Sequence, residues 1–278
     1  MSYSLENLKK LREITEVGIN DCMNALLANE NDLEKSIQWL KEKSMVSSKS
    51  SNLGNTERIN KFGLVKIKSL GNRIVSFCLK CESDFVSENQ VFVNLSEKII
   101  DSLLNKFDDF FNLESGIEKA EESVKDLITA SSYSLKEKIY IEKINFFLKD
   151  QNDVFGSYTH HNKKMASFVV LENGNDELAR EISMQIVVNN PLFISEQDIP
   201  RELFDNKIKE IREELVSQEN FKGSAEIIEK IVKGKFNKWV SEVCLLEQRD
   251  FRNQSLKIKD VILPGTIIKS FLLLNIGF

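Results

Sequence analysis

Apolar residues in the first 45 positions recur at helical spacing and predict three short helices. Their stripes are Leu5, Leu8 and Leu11; Ile19, Cys22, Met23, Leu26 and Leu27; and Leu33, Ile37 and Leu40. Gly18 lies between the first two stripes, where a tight turn favours a residue without Cβ. Residues 1–45 are therefore predicted to form a small three-helix bundle.

The composition changes after this bundle. Residues 46–60 are rich in Ser and Asn, show no apolar period and are predicted to be a linker. Apolar and polar residues then alternate, which predicts a β-hairpin with one buried face. The buried positions are Val75, Phe77, Leu79 and Cys81, and the opposite positions are Ser76, Cys78 and Lys80. A helical stripe follows, at Phe92, Leu95, Ile99 and Leu103.

The same order of hairpin and helix recurs later in the chain. Residues 155–160 and 166–171 have strand character, and a helix is predicted from about Asp176 to Asn189. The recurrence predicts a duplicated antiparallel core, with an N-terminal subdomain at 61–150 and a C-terminal subdomain at 151–278.

The second subdomain is predicted to contain an inserted helical hairpin at about 198–244. Two apolar seams with Gly223 between them predict antiparallel helices of the coiled-coil kind. The seams are Phe204, Ile208, Ile211 and Leu215, and Ile228, Val232, Phe236, Trp239 and Val243. An apolar run at 267–276 predicts a closing strand, so the fold class is α+β.

Composition excludes several classes of protein. The chain is 41% hydrophobic and 29% charged, which is typical of a soluble globular protein. Its net charge of -5 argues against direct binding of nucleic acid, which needs a basic face. No apolar run is long enough to span a membrane, and the first ten residues lack a secretory signal. We therefore expect a cytoplasmic protein whose four cysteines are thiols.

Residues suited to covalent chemistry are few. The two histidines, His160 and His161, are adjacent on a predicted strand and should face opposite sides, so they should not share a metal. No phosphate-binding loop or dinucleotide motif is present. Cys78 and Cys81 form a CxxC motif, but within a strand rather than at a helix N-terminus. We predict no metal, no cofactor and no covalent catalysis.

The segment from Cys81 to Ser87 joins a strand to a helix and carries an aromatic residue beside a carboxylate. Such a corner can project both side chains outward, where the aromatic ring could act as a wedge. Alternatively, Phe85 packs into the local core, and Asp84 or Ser87 caps the helix. The residues alone leave both possibilities open.

Five segments together resemble the elongation factor Ts family, which exchanges the guanine nucleotide of the translation GTPase EF-Tu. They are Leu11–Leu26 (LREITEVGINDCMNAL), Cys81–Ser87 (CESDFVS), Gly156–His160, Ile231–Lys235 and Leu245–Gln248. The chain departs from the family pattern at Glu16, Cys78, Lys80, Ser83 and His161. It also stops at Phe278, without the helical C-terminal extension of some relatives.

The resemblance implies a fold, a partner and a mechanism. The first bundle should resemble a ubiquitin-associated domain, and the partner should be EF-Tu, either GDP-bound or nucleotide-free. Ser83, Asp84, Phe85 and Val86 should dislocate Mg²⁺ and the phosphate loop of EF-Tu, so that GDP leaves and GTP can enter. Further partner contacts are expected at Arg12, Thr15, Val17, Gly18 and His160. The bundle core should hold Leu11, Ile14, Met23 and Leu26.

Two other functions remain open at this point. An adaptor could use the bundle for binding and the core as a spacer, in which case Phe85 would be dispensable. A thiol oxidoreductase could use Cys78 and Cys81, and then at least one of these thiols should have a lowered pKa.

Overall fold

The computed structural model describes residues 4–15, 17, 19–50, 62–111, 113–216 and 225–276. The chain forms two compact units. The first comprises residues 1–151, 159–166 and 274–278, and the second comprises residues 152–158 and 167–273. Helices and antiparallel strands are mixed, so the prediction of an α+β class is confirmed.

The first unit contains most of the helices and one sheet. Its elements are α1 (Leu5–Thr15), α2 (Ile19–Ala28), α3 (Leu33–Ser50), β1 (Phe62–Leu70), β2 (Arg73–Cys81), α4 (Asp84–Glu88), α5 (Gln90–Asn105), α6 (Phe107–Phe111), α7 (Gly116–Leu135) and β3 (Tyr140–Leu148).

The three predicted N-terminal helices are present and share one apolar core. The buried members are Leu8, Leu11, Val17, Cys22, Ala25, Leu26 and Leu40. Helix α3 continues to Ser50, five residues into the segment predicted as a linker. Residues 46–50 contain no Pro or Gly to stop the helix, and the rest of that segment lies outside the described residues.

The first sheet has the order β1-β2-β3, and both pairings are antiparallel. Helix α5 covers one face and supplies Phe92, Leu95, Ile99 and Leu103 to the core, as predicted. The prediction that β2 has a single buried face is wrong, because Ser76 and Cys78 on the opposite face are also fully buried.

The second sheet has the order β4-β5-β6, formed by Val154–Thr159, Met165–Glu172 and Ile267–Asn275. Helix α8 (Asp176–Asn189) packs on it through Leu178, Ala179, Ile182 and Ile186. The predicted hairpin, helix and closing strand are thus all present.

Two further helices, α9 (Arg201–Val216) and α10 (Ala225–Val243), share a separate apolar cluster in the second unit. Its buried members are Ile199, Ile211, Leu215, Val232, Phe236, Val240 and Cys244. The predicted turn at Gly223 lies outside the described residues. A short helix, α11 (Ile258–Val261), precedes β6. Among the described residues, no helix is both long and apolar enough to cross a bilayer.

Candidate functional site

The corner between β2 and α4 is built by local capping. Strand β2 ends at Cys81 and α4 begins at Asp84. Ser83 is the N-cap, with extended backbone angles of φ -127 and ψ 159, and its Oγ accepts a hydrogen bond from the Val86 backbone N–H at 3.3 Å. The alternative in which Asp84 or Ser87 caps the helix is therefore wrong. Ser83 is suited to this position because its short hydroxyl reaches the N–H three residues ahead.

Two adjacent apolar residues in the first turn of α4 differ sharply in burial. Phe85 is 84% exposed, whereas Val86 is only 7% exposed and belongs to the core of the first unit. The alternative in which Phe85 packs into its own core is therefore wrong. Val86 packs α4 against the core, and Phe85 projects from the helix into solvent.

Asp84 lies beside the exposed ring and is itself exposed. Its Oδ1 accepts a hydrogen bond from the Phe85 N–H at 3.0 Å, and its backbone oxygen accepts one from Ser87 Oγ at 2.6 Å. The carboxylate therefore remains largely open to solvent. Asp84 and Phe85 together present a negative charge and an aromatic ring at one point of the surface.

Glu137 holds the base of this corner, and the sequence analysis missed it. Its Oε2 accepts hydrogen bonds from the backbone N–H groups of Glu82, at 3.2 Å, and Ser83, at 3.0 Å. Its Oε1 accepts a hydrogen bond from Ser83 Oγ. Because Glu137 lies 54 residues beyond Ser83 in the chain, no local sequence signal points to it.

The two cysteines of the CxxC motif are fully buried in β2. Burial raises the pKa of Cys78 to about 11 and that of Cys81 to about 12. The Sγ of Cys81 donates a hydrogen bond to the Ser83 carbonyl at 3.2 Å, so it acts as a thiol rather than a thiolate. A redox function needs an accessible thiol with a lowered pKa, and neither residue provides one.

The two histidines follow β4 rather than lying within it. Their ring centroids are 4.2 Å apart, so the prediction that they face opposite sides of a strand is wrong. They lie in the turn between β4 and β5, where the His160 N–H donates to Met165 O and its carbonyl accepts from Lys163 N–H. His160 Nδ1 is buried without a hydrogen-bond partner among the described residues. Nor do three His, Cys, Asp or Glu residues converge anywhere in the described part of the chain to hold a metal.

The N-terminal candidates differ in accessibility. Arg12 is exposed, and Thr15 is half-buried, with its Oγ1 donating to the Leu11 carbonyl at 2.6 Å. Val17 is only 5% exposed, because it packs in the bundle core and not on its surface. Ile14, expected in that core, is instead 58% exposed. The candidate Gly18 and the family departure Glu16 lie outside the described residues.

Comparison with known proteins places this geometry in a family. The sequence profile described as Elongation factor TS matches residues 82–277, which include the whole corner from Glu82 onward. The chain belongs to the elongation factor Ts family.

Individual relatives extend this match over the N-terminal helices. Elongation factor Ts of Mycoplasma mobile is 32% identical over 272 residues, which cover 96% of this chain and 86% of that protein. The corresponding protein of Levilactobacillus brevis is 31% identical over 243 residues, covering 87% and 80%. That of Acholeplasma laidlawii is 29% identical over 283 residues, covering 100% and 93%. Membership of the elongation factor Ts family implies a nucleotide-exchange role in protein biosynthesis, with EF-Tu as the partner.

Proposed function

We propose that this chain binds EF-Tu·GDP and promotes GDP release by inserting Asp84 and Phe85 into the nucleotide-binding domain of EF-Tu. The observation that carries the proposal is the 84% exposure of Phe85 on a capped corner whose next residue, Val86, is buried. A ring held outside its own fold can enter a partner without prior unfolding. Family membership supplies the partner.

The proposed mechanism needs only a small displacement in the partner. A bound diphosphate is held by Mg²⁺ and by backbone N–H groups that point at its oxygens. A shift of about 1 Å weakens several of these charge-assisted bonds together, because each depends steeply on geometry. In this mechanism the Phe85 ring inserts between helices of the partner, and Asp84 enters beside it. Ser83 caps α4 and Val86 packs in the core, so both residues fix the position of the inserted pair. GDP and Mg²⁺ then leave and GTP can enter.

The remaining family features belong to the same proposal. Arg12, Thr15 and Gly18 would contact the partner through a ubiquitin-associated-like bundle, and His160 would contribute a second contact region. Val17 would contribute through its backbone, since its side chain is buried. The paired helices α9 and α10 would form a coiled-coil hairpin. The chain would act in the cytoplasm, without nucleic acid, a cofactor or covalent catalysis.

The test is release of a fluorescent GDP analogue from the cognate EF-Tu, followed by stopped flow. We expect wild type and Cys81→Ser to accelerate release, and Phe85→Ala to be at least tenfold less effective because the ring is lost. Ile117→Ala is a matched control, since Ile117 is also exposed, at 52%, in the first unit. A wild-type chain that leaves the release rate unchanged would refute the proposal, and a fully active Phe85→Ala would refute the wedge.

A further inference from the structure

We infer that Glu137 is the positioning residue that holds the Asp84–Phe85 corner in its projecting geometry. The inference rests on the proposed function for its consequence, but its structural part can be tested separately. Glu137 binds three groups of the corner, which are the backbone N–H groups of Glu82 and Ser83 and the Ser83 hydroxyl.

One of the three hydrogen bonds, through the Ser83 hydroxyl, continues to the exposed helix. The Ser83 hydroxyl donates a hydrogen bond to Glu137 Oε1, which orients Ser83 Oγ so that a lone pair faces the Val86 N–H. The carboxylate thereby fixes the N-cap, and the N-cap fixes the first turn of α4. Phe85 lies within that turn, so the direction of its ring depends on a side chain from another part of the fold.

Glu137 itself is positioned by regular secondary structure on both sides. Glu137 lies between α7, which ends at Leu135, and β3, which begins at Tyr140. Tyr140 pairs with Lys80 of β2, next to the start of the corner. The bonding is also reciprocal, since the Glu82 carboxylate accepts a hydrogen bond from the Lys138 N–H at 3.2 Å. Hydrogen bonds thus run in both directions between the segment that follows β2 and the segment that precedes β3.

A carboxylate suits this position better than other side chains of similar size. It accepts on both oxygens, and hydrogen bonds to a charged acceptor are stronger than those between neutral groups. Glu137 is half-buried, so solvent competes with these bonds less than at the surface. Without it, the N–H groups of Glu82 and Ser83 lose their acceptor and the corner can sample other directions. Ordering it again on binding would cost affinity and rate.

The experiment compares Glu137→Ala, Glu137→Gln and a matched control, Glu121→Ala, which removes an exposed carboxylate from α7. The first readout is GDP-analogue release from EF-Tu at concentrations of the chain below saturation. We expect Glu137→Ala to be about tenfold slower and Glu137→Gln to stay within about threefold of wild type, because an amide oxygen still accepts N–H bonds. Glu121→Ala should match wild type.

A double-mutant cycle separates positioning from a general loss of structure. In a Phe85→Ala background, Glu137→Ala should cause no further loss of exchange activity, since it acts through the ring. An additive loss in that background would overturn the inference, and so would a wild-type rate in Glu137→Ala while Phe85→Ala is slow. If Glu137→Ala does not fold, Ser83→Ala carries the test, because it removes the hydroxyl that joins Glu137 to the Val86 N–H. We expect it to be about threefold slower, and an unchanged rate would count against the inference.

Amide hydrogen exchange tests the structural part without EF-Tu. The backbone amides of Glu82 and Ser83 should exchange at least tenfold faster in Glu137→Ala than in wild type or Glu121→Ala. Equal exchange rates would overturn the inference. If wild type fails to release GDP but these amides are deprotected in Glu137→Ala, the proposed function fails and the positioning role of Glu137 stands.

Discussion

At the residue scale, the backbone just before Glu137 adopts an uncommon conformation. Lys136 is the C-cap of α7 and has a φ of 58, in the left-handed region. Residues with a Cβ are strained there, and glycine is the usual occupant. Lys136 Nζ also lies 3.5 Å from Asp21 Oδ2, and the lysine side chain is 71% exposed. An ion pair this exposed contributes little to stability. The turn that leads into Glu137 is therefore strained.

Lys136→Gly should raise the free energy of unfolding by about 1 kcal/mol, because it relieves this strain. Lys106→Gly is the matched control, since Lys106 is the C-cap of α5 with a φ of -105. There, glycine adds only freedom to the unfolded chain and should destabilise. Urea denaturation measures both changes, and a loss of stability in Lys136→Gly would contradict the prediction.

The buried thiols predict a loss of stability at alkaline pH. Burial holds the pKa of Cys78 at about 11 and that of Cys81 at about 12, above the ordinary value of 9.0. Above pH 9 the unfolded chain releases these protons and the folded chain keeps them, so the stabilisation present at lower pH is lost as pH rises towards 11–12. Each thiol contributes a slope of up to about 1.4 kcal/mol per pH unit. Between pH 8 and pH 11, the free energy of unfolding should therefore fall less steeply with pH in Cys78→Ala than in wild type. Denaturation at a series of pH values measures both slopes. Equal slopes would contradict this.

At this scale, the sequence alone does not determine which apolar residue of the corner is buried. Phe85 and Val86 are adjacent and both apolar, and a five-residue helix is too short to show a periodicity. Only the family resemblance pointed to an exposed Phe85. Glu137 could not be found at all, because its role depends on a contact between segments far apart in the chain.

At the element scale, close packing of β4 against α8 depends on the absence of one side chain. A Cβ at Gly156 would lie 2.3 Å from the backbone carbon of Ala179. Ser183 Oγ also donates to the Gly156 carbonyl at 3.0 Å, so strand and helix are linked as well as packed. This contact leaves no room for a larger residue.

Gly156→Ala should destabilise the protein by about 2–3 kcal/mol, because the strand and the helix must move apart. Gly234→Ala is the control, and it should stabilise the protein rather than destabilise it. Gly234 lies within α10, its added Cβ would meet nothing within 4 Å, and alanine favours a helix by about 0.5–1 kcal/mol. Thermal denaturation of both variants tests the pair, and a stable Gly156→Ala would contradict the packing argument.

Most helices with a regular apolar period were predicted, but helix α7 was missed although Ala120, Val124, Leu127 and Ile128 form a stripe in its sequence. Helices α5, α8, α9 and α10 each carry a clear stripe and were predicted. Strand β3 was not, because its pairing with β2 shifts register between Ser76 and Cys78, where Lys143 has a φ of 54. Such a bulge breaks the alternation on which strand prediction depends.

At the scale of the whole molecule, exchange requires that the chain and GDP oppose each other on EF-Tu. Binding free energies around such a cycle are reciprocal. The factor by which the chain weakens GDP binding must equal the factor by which GDP weakens binding of the chain. Under the proposed function, Phe85 supplies much of this coupling.

Phe85→Ala should therefore reduce both factors by the same amount, and Ile117→Ala should change neither. Equilibrium titrations of EF-Tu with GDP, and with the chain, each in the absence and presence of the other, measure all four dissociation constants. A Phe85→Ala chain that binds EF-Tu more weakly but keeps the full antagonism with GDP would contradict the prediction. Such a ring would contribute to docking alone.

The outward ring of Phe85 also determines how much free energy a partner can gain by burying it. It lies beside the exposed Asp84, and the other apolar residue of this short helix, Val86, is buried, so the ring is the only large apolar side chain that α4 exposes. Transfer of that ring into an apolar slot would release roughly 1.5–3 kcal/mol. This is enough to change an association constant about tenfold to a hundredfold. A partner that opens a slot of the right shape can thus gain this energy from one side chain, without a wider apolar surface on α4.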